Sequence, residues 1–347
     1  MNGKIKKIKI VSIIVFAVSA FFVLFFLIKN HKKTTFVTEP QSKKLILGFS
    51  QIGSESAWRT RNTQSIFEAA AQNNIQILFD DAQQKQENQL KAIRSFIVYQ
   101  VDVIAFVPIV EGGWDNVLME AKEAGIPVIL VDRKINADPS LYAGFLGENS
   151  IEEGRNAARF LLKKFRDRQD DVLIFEMSGT ENSSVVKDRA SGFREIINTN
   201  PKFKIIHTEN GDFLSSRGKE ICNNLLADNL IENGRTTNTL YFEGQKIDAI
   251  FSHNDSMTLG FLDSLDAHKI SIKDTVIISV DAEQKSIDAL KKGKLNCVVE
   301  CNPNLGPALM ELIEKISQGE AIPHQTYIPE RVFCEDDDFA GYEPRNY

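Results

Sequence analysis

The stretch 80–133 limits what this chain can fold into more than any other. Within it Leu90, Ile93 and Ile97 recur at helical spacing, 103–107 is a short apolar run, and Val117, Leu118 and Ala121 begin a second helical stripe. Gly125 ends that stripe as a C-terminal glycine does. Ile126-Pro127 then opens the run 128–131, too short for a helix and β-branched enough for a strand buried on both faces. Strand, helix and strand make one βαβ unit, the building block of a parallel sheet. Ligands of open α/β sheets sit beyond the carboxyl ends of the strands, which puts Asp132 and Arg133 at a ligand edge.

The same alternation runs from Leu45 onward. It predicts strands over 45–50, 75–79, 142–146, 172–177, 204–208, 249–252, 276–280 and 297–300, and helices over 60–73 and near 151–165, 185–198, 215–228, 257–267, 284–292 and 305–317. Such regularity implies an α/β fold of parallel sheets covered by helices on both faces, and 347 residues exceed one ordinary core, so two doubly wound lobes are expected. The segment 228–246 breaks the rhythm. It is polar, holds Gly234 and Gly244, lacks helical periodicity, and reads as a surface insertion with one short hairpin.

A formal net charge of -6 argues against nucleic acid as a partner. The start of the chain is the exception to an average composition. Lys4, Lys6, Lys7 and Lys9 precede an apolar run, 10–28, followed by Lys29, His31, Lys32 and Lys33. At about 1.5 Å per residue such a run crosses the hydrocarbon core of a bilayer. The expected organisation is a basic cytoplasmic tail over 1–9, a transmembrane anchor over 10–28 and a polar linker over 29–44, with the body outside the cytoplasm. Val18-Ser19-Ala20 offers small residues for a signal peptidase, but the chain stays apolar from Phe21 to Ile28, past the point where a cleaved signal ends. No cysteine follows at which a lipid would be attached. Cys222, Cys297, Cys301 and Cys334 show no CxxC and no histidines at zinc-ligand spacing. They read as scattered buried thiols; an exported body permits a disulfide, but Cys297 and Cys301 stand too far apart along an extended chain for easy bridging.

Several predicted strands run straight into polar residues. Gly48-Phe49-Ser50-Gln51 leads to Glu55-Ser56-Ala57-Trp58-Arg59, Val131 to Asp132-Arg133, His207 to Gly211-Asp212-Phe213, Ser252 to His253-Asn254-Asp255, and Val280 to Asp281. Guanidiniums that donate, carboxylates that accept and an aromatic plane are what a polyhydroxyl compound needs. Each has a plainer reading. Asp132 and Arg133 also suit a surface turn, Trp58 the core, and Arg189 a solvated helix face. Asp212 suits a cap for the helix from Ser215, and Asp255 or Ser256 is expected to cap the helix after Asn254. His253 reads as structural, and none of the five histidines has partners that suggest catalysis.

Together these segments, with 81–89, 91–96, Gly125-Ile126-Pro127, Ser279-Val280-Asp281, Asn302-Pro303-Asn304 and Gly306-Pro307-Ala308, resemble the type I periplasmic sugar-binding proteins of ABC importers. The galactofuranose-binding branch is the most alike, and the resemblance covers nearly everything after Leu45. It implies a first lobe of 45–147 plus 302–327 and a second of 148–301 plus 328–347, joined by a three-strand hinge near 146–149, 300–303 and 325–329. It places Glu55, Trp58, Arg59, Asp132 and Arg133 in the first lobe's ligand site and Arg189, Asp212, Phe213, Asn254 and Asp281 in the second's. Arg189 gains most, because Lys187-Asp188-Arg189 before Gly192-Phe193 matches a family segment that carries a sugar-binding arginine. The implied protein is non-catalytic, needs no cofactor or metal, binds a monosaccharide (galactofuranose-like or another pentose or hexose) and passes it to an ABC permease. The anchor and the long insertion depart from the family, and point to an alternative role as the sensing subunit of a membrane histidine kinase. A sugar-processing enzyme would draw on Glu55, Asp132 and Asp281, but no metal or phosphate loop accompanies them. A sugar-responsive repressor of this fold would need a basic helix-turn-helix where the apolar run stands.

Overall fold

The computed structural model describes residues 44–233 and 239–347; the expected tail and anchor over 1–28, and the linker up to residue 43, lie outside these residues. Among the described residues no helix is long and apolar enough to cross a membrane.

The chain first lays down β1 (Ile46–Gln51), α1 (Ala57–Gln72), β2 (Gln76–Asp81), α2 (Gln86–Val98), β3 (Val103–Phe106), α3 (Asp115–Glu123), β4 (Val128–Val131) and β5 (Gly144–Gly147). It continues through α4 (Ser150–Lys164), β6 (Val172–Ser178), α5 (Ser184–Ile197), β7 (Phe203–Asn210), α6 (Ser215–Asn233), the two-residue strands β8 (Tyr241–Phe242) and β9 (Gln245–Lys246), β10 (Ala249–Ser252), α7 (Asp255–Ala267), β11 (Val276–Asp281), α8 (Gln284–Lys291) and β12 (Cys297–Glu300). α9 (Gly306–Ser317), β13 (Gln325–Tyr327) and β14 (Val332–Cys334) complete it.

Two six-stranded sheets result, ordered β13-β5-β4-β3-β1-β2 and β14-β12-β11-β10-β6-β7. The first is parallel throughout. In the second, β14 alone runs antiparallel, at one edge. Alternation along each strand divides the core between two faces. In the first sheet Val103, Ala105, Ile129 and Val131 pack with α1 and α9, whereas Ile104, Phe106, Val128 and Leu130 pack with α2 and α3. In the second, Phe175, Ile250 and Ile277 pack with α6, α7 and α8, and Ile174, Phe251 and Ile278 with α4 and α5. The chain passes between sheets three times, after β5, after β12 and after β13, and α9 lies against the first sheet although β12 belongs to the second.

Three local expectations are corrected. α1 begins at Ala57 rather than Thr60, because Ser56 Oγ accepts from Arg59 N–H at 3.0 Å and caps it; Trp58 and Arg59 are therefore first-turn residues and not loop residues. α7 is capped by Asn254, whose Oδ1 accepts from Met257 N–H at 3.0 Å, and not by Asp255 or Ser256, which are already helical. α6 runs on to Asn233, past the expected end near 228; after 234–238, outside the described residues, the anticipated hairpin is present as β8 and β9, closed by Ile247 N–H donating to the Leu240 carbonyl at 2.8 Å.

Candidate ligand-binding site

In both sheets the winding reverses beside a central strand, between β1 and β3 in one and between β6 and β10 in the other. Such switch points open crevices at the carboxyl ends of the strands. A cavity of about 30 Å³ lies there, lined by Glu55, Ser56, Trp58, Arg59, Asp132, Arg133, Val185, Arg189, Phe213, Asn254, Asp281 and Cys301. That is below the range for ligand pockets.

Left-handed backbone aims several of these side chains. Asp132, Phe213 and Asp281 have φ of 62°, 61° and 122°, uncommon for residues other than glycine and concentrated at functional sites. Asp212, with φ of 52°, does not line the cavity; its backbone N–H donates to Asn210 Oδ1 at 2.8 Å and its carbonyl accepts from Thr180 Oγ1 at 3.3 Å, which fixes the turn that turns Phe213 inward. Gly179 makes room for that ring, since a Cβ there would fall 2.1 Å from Phe213 Cζ.

Three guanidiniums are buried here. Arg59 Nε donates to Glu55 Oε1 at 3.2 Å and its Nη2 to Asp132 Oδ2 at 2.6 Å. Burial works to lower its pKa, but Asp132 and then Glu55 outweigh burial and hold the charge firmly. Its carbon Cζ stands 4.7 Å from the centre of the Trp58 ring. Arg133 donates from Nη1 to the Ile109 carbonyl at 3.2 Å and lies 5.6 Å from the Phe213 ring centre. Burial, and then the charge on Arg59, push its pKa down to about 10. Arg59 Nη1 and Arg133 Nε are buried N–H groups with no hydrogen-bond partner in the protein, so two donors stand ready for a guest.

Arg189 depends on close helix packing. A Cβ on Gly154 of α4 would come 2.1 Å from the Arg189 carbonyl, and one on Gly192 of α5 would come 2.0 Å from the Ile151 carbonyl, so glycines bring the two helices together. Across that contact Arg189 Nε donates to Glu153 Oε2 at 2.5 Å, its Nη1 donates to the His253 carbonyl, and its Nη2 is 3.7 Å from Asp281 Oδ1. Burial opposes its charge and Glu153 leads the groups that restore it, leaving the pKa raised. His253 is structural, its Nε2 3.0 Å from Glu176 Oε1, with a pKa lowered chiefly by burial. Burial also drives Asp281 well above the usual carboxylate range, with Arg189 pulling the other way and Asp255 adding to the rise.

Trp58 and Asn254 have their polar ends committed. Trp58 Nε1 donates to the Cys301 carbonyl at 2.6 Å, which leaves the ring face as its contribution. Asn254 Nδ2 donates to the Phe213 carbonyl at 3.2 Å while its Oδ1 caps α7. The structure thus brings together nine of the ten residues singled out in the sequence, all but Asp212. Ser56, Val185 and Cys301 were not singled out; Cys301 follows β12 directly, so strand-end position was the available signal, whereas Val185 on α5 gave none. Arrayed donors, acceptors and two aromatic faces suit a small neutral polyhydroxyl ligand.

A family model described as a periplasmic binding protein domain matches residues 47–321. The galactofuranose-binding protein YtfQ of Escherichia coli (strain K12) is 36% identical over 283 residues, 81% of this chain and 85% of that protein. A Mycobacterium smegmatis protein solved in complex with β-D-fucofuranose is 41% identical, with a TM-score of 0.76, covering 84% of this chain and 91% of that one. The binding protein of the arabinose ABC transporter from Shewanella sp. ANA-3, bound to α- and β-L-arabinofuranose, is 36% identical with the same TM-score, covering 84% and 92%. The two-lobed α/β architecture, the match over most of the chain and these relatives agree: the chain belongs to the periplasmic binding protein domain family, and these relatives are sugar-binding proteins and not enzymes.

Proposed function

We propose that this protein binds a monosaccharide in its five-membered-ring form between its two lobes and presents the closed form to an ABC importer. The observation that carries the reading is the convergence in one small space of Arg59, Arg133 and Arg189, their acidic partners and the faces of Trp58 and Phe213. Support for a furanose comes from the relatives, two of which were solved with furanose sugars and one of which is named for galactofuranose. Glu55, Trp58, Arg59, Asp132 and Arg133 serve from the first lobe, Arg189, Phe213, Asn254 and Asp281 from the second, and Asp212 acts by shaping the turn before Phe213. The lobes are 45–147 with 302–327 and 148–301 with 328–347, and the three passages between sheets form the hinge; ligand contacts from both sides favour closure.

Thermal unfolding with free sugars tests this. A ligand at about 100 times its dissociation constant adds roughly 2.7 kcal/mol to the folded state. Arabinose, galactose or fucose, which populate furanose forms in solution, is expected to raise the midpoint; no shift with any pentose or hexose would overturn the reading. A second role has one observation behind it, the basic-flanked apolar run 10–28. An anchored protein that reports to a sensor kinase would co-purify from membranes with that kinase, and recovery with permease subunits alone would exclude it.

A further inference from the structure

Two of the cysteines that look scattered in the sequence stand opposite one another in the fold. β14 pairs antiparallel with β12, aligning Cys297 with Cys334, Val298 with Phe333 and Val299 with Val332. The ladder hydrogen bonds decide which kind of pair this is. Glu300 N–H donates to the Arg331 carbonyl at 2.8 Å and Glu335 N–H donates to the Asn296 carbonyl at 2.9 Å. Hydrogen-bonded and non-hydrogen-bonded pairs alternate along an antiparallel ladder, so the cysteines, one step in from Asn296 and Glu335, form a non-hydrogen-bonded pair. There the Cα atoms approach to about 4.5 Å with side chains on one face, inside the separation a disulfide spans.

We propose that Cys297 and Cys334 are a modification site, which a thiol–disulfide oxidant outside the cytoplasm closes to a cross-strand disulfide. The proposal rests on the extracytoplasmic location typical of the family and not on which sugar the cavity takes. Cys297 is fully buried and Cys334 partly exposed, so an oxidant reaches Cys334 first. The neighbouring Cys297 thiol is also the main cause lowering the Cys334 pKa, which favours its thiolate. The Cys334 thiolate attacks the acceptor disulfide, breaking its S–S bond and expelling one thiolate. Cys297, losing its proton to that thiolate, then attacks the Cys334 sulfur and expels the second, which takes up the proton Cys334 had lost. Two electrons and two protons pass to the acceptor, which ends as two thiols.

The bond closes a loop whose excursion contains α9 and β13, both of the first sheet, while its base lies in the second. β14, a three-residue edge strand, would then be held to β12 covalently. Cys222 on α6 and Cys301 beside the cavity belong to no part of this ladder.

The test uses the full chain, purified after export without reductant, incubated with oxidised glutathione and alkylated under denaturing conditions. The expected result is alkylation at Cys222 and Cys301 alone, a linked peptide joining Cys297 to Cys334, and a higher unfolding midpoint than for the reduced protein. Cys334→Ser should erase that midpoint difference. Four alkylated cysteines after oxidation, or a linked peptide joining any other pair, would overturn the proposal. The thiol count is read without sugar, so its failure and a failure of sugar binding are separate results.

Discussion

Arg133 shows how a residue that costs stability can be kept for binding. It is buried, its pKa is depressed, and it has one backbone acceptor and, 3.9 Å from its Nε, a carboxylate too far off to accept a hydrogen bond. A lysine keeps the charge but not the planar fork. Arg133→Lys should weaken sugar binding roughly 10- to 100-fold, the loss of one hydrogen bond from a charged donor, with little fall in the unfolding midpoint; calorimetry beside thermal unfolding reads both. Arg189 differs, because its removal strands the buried Glu153 carboxylate. Arg189→Ala should cost about 3–5 kcal/mol in denaturant unfolding as well as abolishing binding. At this scale the sequence was legible wherever a polar residue follows an apolar run, as with Asp132, Asn254 and Asp281. It was silent on what each side chain meets across the cavity, such as the Cys301 carbonyl under Trp58, because those partners lie far away along the chain.

Elements set where those residues stand, and their edges were the least legible part. The period of the apolar residues located the helices and the longer strands of both sheets, but Ser56 and Asn254 act as caps through side-chain bonds that periodicity does not register. The close approach of α4 and α5 was visible only as two glycines. Gly192→Ala should destabilise by about 1–3 kcal/mol and weaken binding too, since relief of the overlap moves Arg189; urea midpoints and calorimetry on one variant check both effects. Asp255, in the first turn of α7, makes a pH prediction. Burial, and then Glu283, push its pKa up to about 8 from an ordinary 3.8. The folded state therefore keeps a proton that the unfolded chain gives up, so stability from this group is full below about 4 and is lost as pH rises through about 8. Asp281 and Glu148, also raised by burial, act in the same direction. Glu176 is lowered, its hydrogen bonds to His253 and Arg194 outweighing the burial that opposes them, and its contribution changes only below the ordinary 4.5, so it leaves the interval from 5 to 8 unaffected. His253, lowered by burial, acts the other way below its ordinary 6.5, so urea midpoints should fall most clearly between pH 6.5 and pH 8, less steeply in Asp255→Asn; a rise over that interval would contradict the assignment.

At the scale of the molecule, two sheets present their strand ends to one cavity and the chain crosses between them three times. Regular alternation made both sheets foreseeable, but not the antiparallel β14, whose three residues are too few for a period to show. The central claim is that this cavity holds a sugar, and calorimetric titration of the protein and of Arg133→Lys with the sugar that most raises the unfolding midpoint tests it most directly. The account predicts one site per chain for the protein and an affinity lower by roughly 10- to 100-fold for the variant. Equal affinity in both would place the sugar elsewhere and contradict the claim.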